Sequence, residues 1–259
     1  MNNTVMNLSV LRLSIAYVFV FIMLIIFKAR GIKRERQIII ASTRMTIQLI
    51  IMGYILMFVF NNPSWWLTSI MIVVMISFAI YNSIKRVKYN MSYELKKIIA
   101  FAMTFGALLT ATFFIIIILG VQPWFNPQYF IPISGMIIGN SMTGIALGAN
   151  KLCSSIEEKR IEIENSLMLG ASPAAATKEI VNNSFDTAIL PTMNNMLTMG
   201  IVSLPGMMTG QILSGTFPIT AIKYQIGIML AILGSTAVST VIFVSLGYRT
   251  FFTKDHRLK

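Results

Sequence analysis

Apolar runs long enough to cross a bilayer recur along this chain, separated by short loops that are either strongly basic or free of charge. About 20 apolar residues span the hydrocarbon as a helix, because lipid offers no partner for an unpaired backbone N–H or C=O. The runs fall at about residues 8–27, 38–60, 67–84, 98–119, 131–149, 191–213 and 219–246. That pattern predicts an all-α polytopic membrane protein with seven transmembrane helices, in a single membrane domain over residues 1–259. Residues 1–7 are polar and carry no basic n-region, so the first run reads as a retained span rather than a cleaved signal. Composition agrees: 12% of residues are charged, against about a quarter in a soluble domain.

Charge then orients the chain. Lys28, Arg30, Lys33, Arg34 and Arg36 follow the first run, and Lys85, Arg86, Lys88, Lys96 and Lys97 follow the third. More bases follow the fifth run, and the tail carries Arg249, Lys254, Arg257 and Lys259. The residues before the first run and the loops after the second, fourth and sixth carry no Lys or Arg. The positive-inside rule puts the N-terminus outside and the C-terminus in the cytoplasm, which requires an odd number of spans. A net charge of +12 spread over short loops speaks for orientation and lipid, not for nucleic acid. Arg12, Arg44 and Lys223 lie near span ends, where their stems can snorkel. One cysteine, Cys153, excludes an internal disulfide, and one histidine, His256, excludes a histidine-built metal site. No cofactor is expected, and no Walker, Ser/His/Asp or HExxH pattern appears, so the chain is not read as an enzyme.

One polar stretch interrupts the apolar pattern. Residues 151–191 hold six of the nine acidic residues: Glu157, Glu158, Glu162, Glu164, Glu179 and Asp186. Leu152, Ile156, Ile163 and Leu167 recur as one stripe of an amphipathic helix. Gly170 follows Leu169 and precedes Ala171, where a left-handed helix end is expected, and Ser172-Pro173 offers an N-cap and a first-turn proline. The stretch predicts helix, sharp knuckle, helix, and a return to the membrane at Ile189-Leu190-Pro191. Residues 151–187 are then a cytoplasmic coupling segment between the fifth and sixth spans.

Within the spans, Gly135 and Gly139, Gly144 and Gly148, and Gly206 and Gly210 form G-x-x-x-G pairs, which let helix backbones approach closely. They serve packing within the chain, or a seam between two copies. On an ideal helix Asn195, Thr198, Met199, Val202, Gly206 and Thr209 share one face of the sixth span, and Pro205 frees a carbonyl one turn earlier. That face reads equally as a solute pathway or as a kinked packing helix. Met193, Met196, Met199, Met207 and Met208 resemble a soft-metal ladder, but methionine fills gaps throughout this chain and is read as filler.

Three blocks carry a family resemblance: N-N-M-L-T-M-G-I-V-S-L-P-G-M-M-T-G-Q-I-L-S-G at 194–215, I-P-I-S-G-M-I-I-G-N-S-M at 131–142 and L-G-A-S-P-A-A-A at 169–176. Together they resemble the FetB-type iron-export permeases, membrane subunits of ABC transporters, a family that includes plant proteins tied to aluminium tolerance. The resemblance implies a permease driven by a separate ATP-binding ABC subunit, with iron or a related metal ion as exported solute; seven spans, too few for a full pathway, predict a homodimer. It also implies coupling to that subunit through Glu164, Leu169, Gly170, Ala171, Ser172 and Pro173. Importer permeases carry an E-A-A-x-x-x-G loop; here Glu164-Asn165-Ser166 and Gly170 match it in role rather than in detail. Other readings stay open, among them an ATP-independent channel and two more. One is a permease for another small polar solute such as a nucleotide-sugar; the other is a scaffold that recruits a cytoplasmic partner through residues 151–187.

Overall fold

The computed structural model describes residues 9–253, 255 and 257–259. Residues 1–7, Leu8 of the first expected span, and Lys254 and His256 of the tail lie outside the described residues. Among those described, every named element is helical, and β-pairing is limited to two isolated bridges. The chain divides into two units, residues 1–62 with 213–215, and residues 63–212 with 216–259.

In the first unit, α1 (Val10–Ile15) is capped by Ser9, whose side chain accepts from the Arg12 N–H. The chain slips at Ala16-Tyr17 and continues as α2 (Val18–Ala29), followed by α3 (Glu35–Asn61). The Tyr17 hydroxyl hydrogen-bonds Thr46 Oγ1 and ties the start of α2 to α3. No residue of α2 is buried, and only Val59 of α3 is. Helices apolar on every side with so little covered are built for lipid or for another protein surface.

The second unit is organised on α6 (Pro127–Glu158), which packs against α4 (Trp65–Arg86), α5 (Tyr93–Phe113), α8 (Pro173–Thr198) and α10 (Pro218–Gly247). Asn126 caps α6 by accepting from Gln128 N–H, with Pro127 in the first turn where a missing N–H costs nothing. Ser92 caps α5 in the same way, accepting from Leu95 N–H. Ile99, Met103, Ile133, Ile137, Ile145, Leu152, Ile228 and Phe243 form the dry centre.

Where helices come closest, the contact is made by small residues. A methyl group on Gly144 would lie 2.5 Å from Thr236 Cγ2 and 3.2 Å from the Ala188 carbonyl oxygen. On Gly148 it would lie 3.3 Å from both Ala188 Cβ and the Ser184 oxygen. Ser141 and Ser235 share a hydrogen bond of 2.8 Å beside this seam. Gly135 meets only Met75 Cε, at 3.0 Å, while Gly139, Gly206 and Gly210 face open space.

Six described helices are long and apolar enough to cross a membrane: Leu11–Ala29, Glu35–Asn61, Trp65–Arg86, Tyr93–Ile118, Pro127–Glu158 and Pro218–Phe251. They match the expected spans one to five and seven. The expected sixth span is corrected. Helix α8 starts at Pro173, runs through Pro191 without interruption and ends at Thr198; the chain leaves the helix over 199–205 and resumes as α9 (Gly206–Leu213). Gly200 adopts φ +88°, a conformation that ends a helix. Its N–H donates to the Ser203 carbonyl at 2.9 Å, which replaces the helical bond with a local turn. Pro205 then has no N–H to carry a helix through. The second correction concerns the polar stretch, where Leu152, Ile156, Ile163 and Leu167 do not share one helix: α6 continues from span five through Lys151 to Glu158, the chain breaks at Lys159, and a separate helix follows over Arg160–Met168.

The seam gives a direct test. Gly144→Val should destabilise the protein by about 1–3 kcal/mol through overpacking, read as a lower midpoint of thermal unfolding in detergent. Gly139→Ala, whose methyl meets nothing within 4 Å, should not lower the midpoint, since alanine favours the helix.

Candidate functional site

Two departures from helical backbone mark the ends of one helix. Before α8 lies the knuckle at 169–172, and after it lies the break at 199–205.

The knuckle is carried well past the apolar part of the chain. With 32 residues, α6 is about 48 Å long, while the hydrocarbon is about 30 Å thick. Its polar end therefore projects, and α7 (Arg160–Met168) extends the projection after the break at Lys159. Ile163 and Ile180 are buried, holding α7 and α8 together. Lys159 Nζ lies 3.5 Å from Glu179 and 3.8 Å from Glu162. These bridges are exposed and add little stability; they fix direction more than strength. Arg160 Nε donates to Glu164 Oε1 at 2.9 Å, one turn apart on α7.

The turn itself is closed by its own backbone. Gly170 takes φ +90°, its N–H donates to the Leu167 carbonyl, and the Ala171 N–H donates to the Ser166 carbonyl, each at 3.0 Å. That pair of bonds is the Schellman ending. Ser172 Oγ accepts from the Ala175 N–H at 3.3 Å and Pro173 opens α8. The turn leaves two large apolar side chains in the open: Met168 is 83% exposed and Leu169 89%. In a polar segment away from the apolar spans, such a pair is what a partner surface would cover.

At the other end of α8, the Val202 N–H donates to the Thr198 carbonyl at 3.0 Å, and Thr209 donates twice to the Pro205 carbonyl, from N–H at 2.9 Å and from Oγ1 at 3.0 Å. The face drawn on an ideal helix ends at Thr198, because beyond it there is no helix. Asn195 and Thr198 are exposed on α8, Met199 and Thr209 are half-buried, and Pro205 and Gly206 lead into α9. The structure therefore does not bring the six candidate pathway residues onto one helical face.

It assembles a different set. Met196, Met199 and Gly200 at the break, Met208 on α9, and Gln225 and Met229 on α10 border a cavity of about 350 Å3. Gln225 is 4% exposed. Its Nε2 donates to Met199 Sδ at 3.8 Å, while its Oε1 has no partner. Sequence reasoning missed Gln225 and Met229. An amide four residues before a methionine in an otherwise apolar run was the available signal, since that spacing puts both on one helix face. Among the described residues, no three His, Cys, Asp or Glu side chains are grouped to hold a metal ion.

The knuckle geometry predicts a measurable weakness. Gly170 has open space around it, so only its left-handed backbone resists substitution. Gly170→Val should cost about 1–2 kcal/mol locally, which speeds amide exchange at 169–172 by about 5- to 30-fold. Hydrogen exchange read by mass spectrometry checks this.

Comparison with known proteins places the chain. The profile described as "Uncharacterised protein family (UPF0014)" matches residues 10–252. The chain is 35% identical over 252 residues to the "Probable iron export permease protein FetB" of Escherichia coli (strain K12), covering 97% of this chain and 95% of that protein. It is 36% identical to the "UPF0014 membrane protein YjkA" of Bacillus subtilis (strain 168), over 96% and 98% of the two chains. It is 32% identical to the "Protein ALUMINUM SENSITIVE 3" of Arabidopsis thaliana, over 94% and 88%. No solved structure matches the chain.

Proposed function

The chain belongs to the UPF0014 family and is a multi-pass protein of the cell membrane; from that premise we propose that it is the permease subunit of an ABC transporter. It exports iron or a related metal ion and is driven by a separate ATPase. The observation that carries the reading is the exposed Met168-Leu169 pair at the tip of a capped elbow, outside the apolar spans. An ATP-binding subunit that covers this pair gains apolar burial and grips the N-terminal end of α8. The permease name of the Escherichia coli relative supports transport, and its printed solute supports iron.

In this reading residues 1–259 form one membrane domain, and 151–187 is its coupling segment. Glu164 and its partner Arg160 stiffen α7, while Leu169, Gly170, Ala171, Ser172 and Pro173 form the pivot. The basic loops lie in the cytoplasm, the N-terminus lies outside, and the α8–α9 pair is a broken sixth crossing among seven. Two copies form the pathway, with Asn195, Thr198, Met199, Pro205, Gly206 and Thr209 near it. Of Gly135, Gly139, Gly144, Gly148, Gly206 and Gly210, Gly144 and Gly148 hold α6 against α8 and α10, Gly135 meets Met75 of α4, and the other three are open for a seam between copies. Exposed Ile201 and Val202, at 92% and 80%, belong to irregular backbone that lipid does not tolerate unaided. A second copy would cover them.

The test uses the full chain in nanodiscs, co-expressed with a candidate ABC ATPase subunit. Met168→Glu with Leu169→Glu should reduce the co-purified ATPase by at least about thirty-fold, since truncating a central apolar anchor costs about 2 kcal/mol or more. Insertion should be unchanged. Undiminished capture would reject the elbow as the coupling surface, and capture of a partner without Walker motifs would favour the scaffold reading.

A further inference from the structure

Four methionines around the α8–α9 break line a common space. A filler methionine occupies space, as Met103 does at 1% exposure in the core. Met196, Met199, Met208 and Met229 instead border about 350 Å3 of unfilled space. They come from three elements separated in sequence, so their convergence is a product of the fold. Two of the five methionines of that sequence pattern are not among these lining residues: Met193, which is 49% exposed on α8, and Met207 on α9.

We propose that this cavity binds a soft monovalent metal cation, of the Cu+ or Ag+ kind, through the thioethers of Met196, Met199, Met208 and Met229 and the amide oxygen of Gln225. The inference goes beyond the iron-export reading, since its ligand is not ferric ion, and rests on the permease reading for transport, though not for binding itself. Thioether sulfur is neutral, polarisable and soft, and it selects d10 monovalent ions over hard cations. Gln225 supplies the second observation. Its Oε1 is buried and unpartnered, a state that costs about 1–3 kcal/mol unless something accepts the lone pairs. A cation does so, whereas a further apolar group does not. The amide nitrogen already reaches Met199 Sδ, so oxygen and sulfur donors belong to one local arrangement.

Depth favours the same ligand. α8 enters the apolar part of the chain near Ala188-Ile189-Leu190 and ends at Thr198. About ten residues of helix at 1.5 Å each reach the middle of a hydrocarbon layer about 30 Å thick. Broken helices at that depth are the usual seat of ion and substrate sites. Neutral donors there leave the ion's own charge uncompensated, which a single positive charge tolerates far better than a triple one. The cavity lining contains no carboxylate and no imidazole, so it discriminates against ferric ion, which prefers hard oxygen donors. Methionine's three rotatable bonds let the sulfurs close around an ion much smaller than the empty cavity.

The probe is Ag+, which needs no reductant, measured by equilibrium dialysis on the full chain in nanodiscs and chloride-free buffer. A Cys153→Ala background removes the one thiol. The expected result is one saturable Ag+ per chain, unaffected by a hundred-fold excess of Fe3+ chelate. Met199→Leu with Met229→Leu, which conserves volume, should weaken that binding at least ten-fold, and Gln225→Leu should weaken it measurably. Absence of saturable binding, equal binding by the variants, or displacement by ferric ion would overturn the proposal. Because ATPase capture at the elbow is scored separately on the unmodified chain, the two ideas fail apart: capture without Ag+ binding removes only the site, and Ag+ binding without capture removes only the permease reading.

Discussion

Lipid provides no hydrogen-bond partner for a peptide group, and that absence decides the shape of this protein. Apolar stretches must be helical, and departure from the helix must be justified by something other than solvent. The chain departs twice around α8. At 169–172 it does so in the polar projection, where Schellman bonds and the Ser172 cap satisfy the backbone. At 199–205 it does so between apolar segments, where a turn at Gly200 and the doubly used Pro205 carbonyl satisfy part of it. Because 26 residues of continuous helix connect the two, about 39 Å of rod joins the exposed elbow to the cavity beside the break.

That rod is seated by close contacts rather than by bulk. Ala188 and Ser184 lie against Gly144 and Gly148 of α6, and Thr236 and Thr240 of α10 close the other side. Contacts between small groups place backbones near one another and leave few side chains to reorganise when one helix shifts along another. The proposed mechanism follows from this seating: force applied at the elbow moves α8 as a unit and alters the cavity at its far end. The polar projection is stiff for the same purpose, since α6 runs on past its apolar part before it bends at Lys159.

Much of the fold was legible in the sequence because its signals are local. Run length and loop charge located six spans. The Gly170 and Ser172-Pro173 pair located the knuckle, since a left-handed residue followed by an N-cap has few other uses. The sixth span was misread because hydropathy averages over the break: Ile201, Val202 and Leu204 are as apolar in a turn as in a helix. Gly200 followed five residues later by Pro205 carried the contrary signal. The cavity was not legible at all from one segment. Met208 on α9 and Met229 on α10 share only a cavity wall, and Gln225 gains meaning only once burial removes its water.

The account stands or falls on whether the two ends of α8 respond together. Hydrogen exchange on the permease–ATPase complex in nanodiscs, with and without a non-hydrolysable ATP analogue, reads both ends in one measurement. The account predicts that nucleotide changes amide exchange at 169–172 and, in the same sample, at 199–205. A change confined to the elbow, with the break exchanging as it does in the nucleotide-free complex, would contradict it.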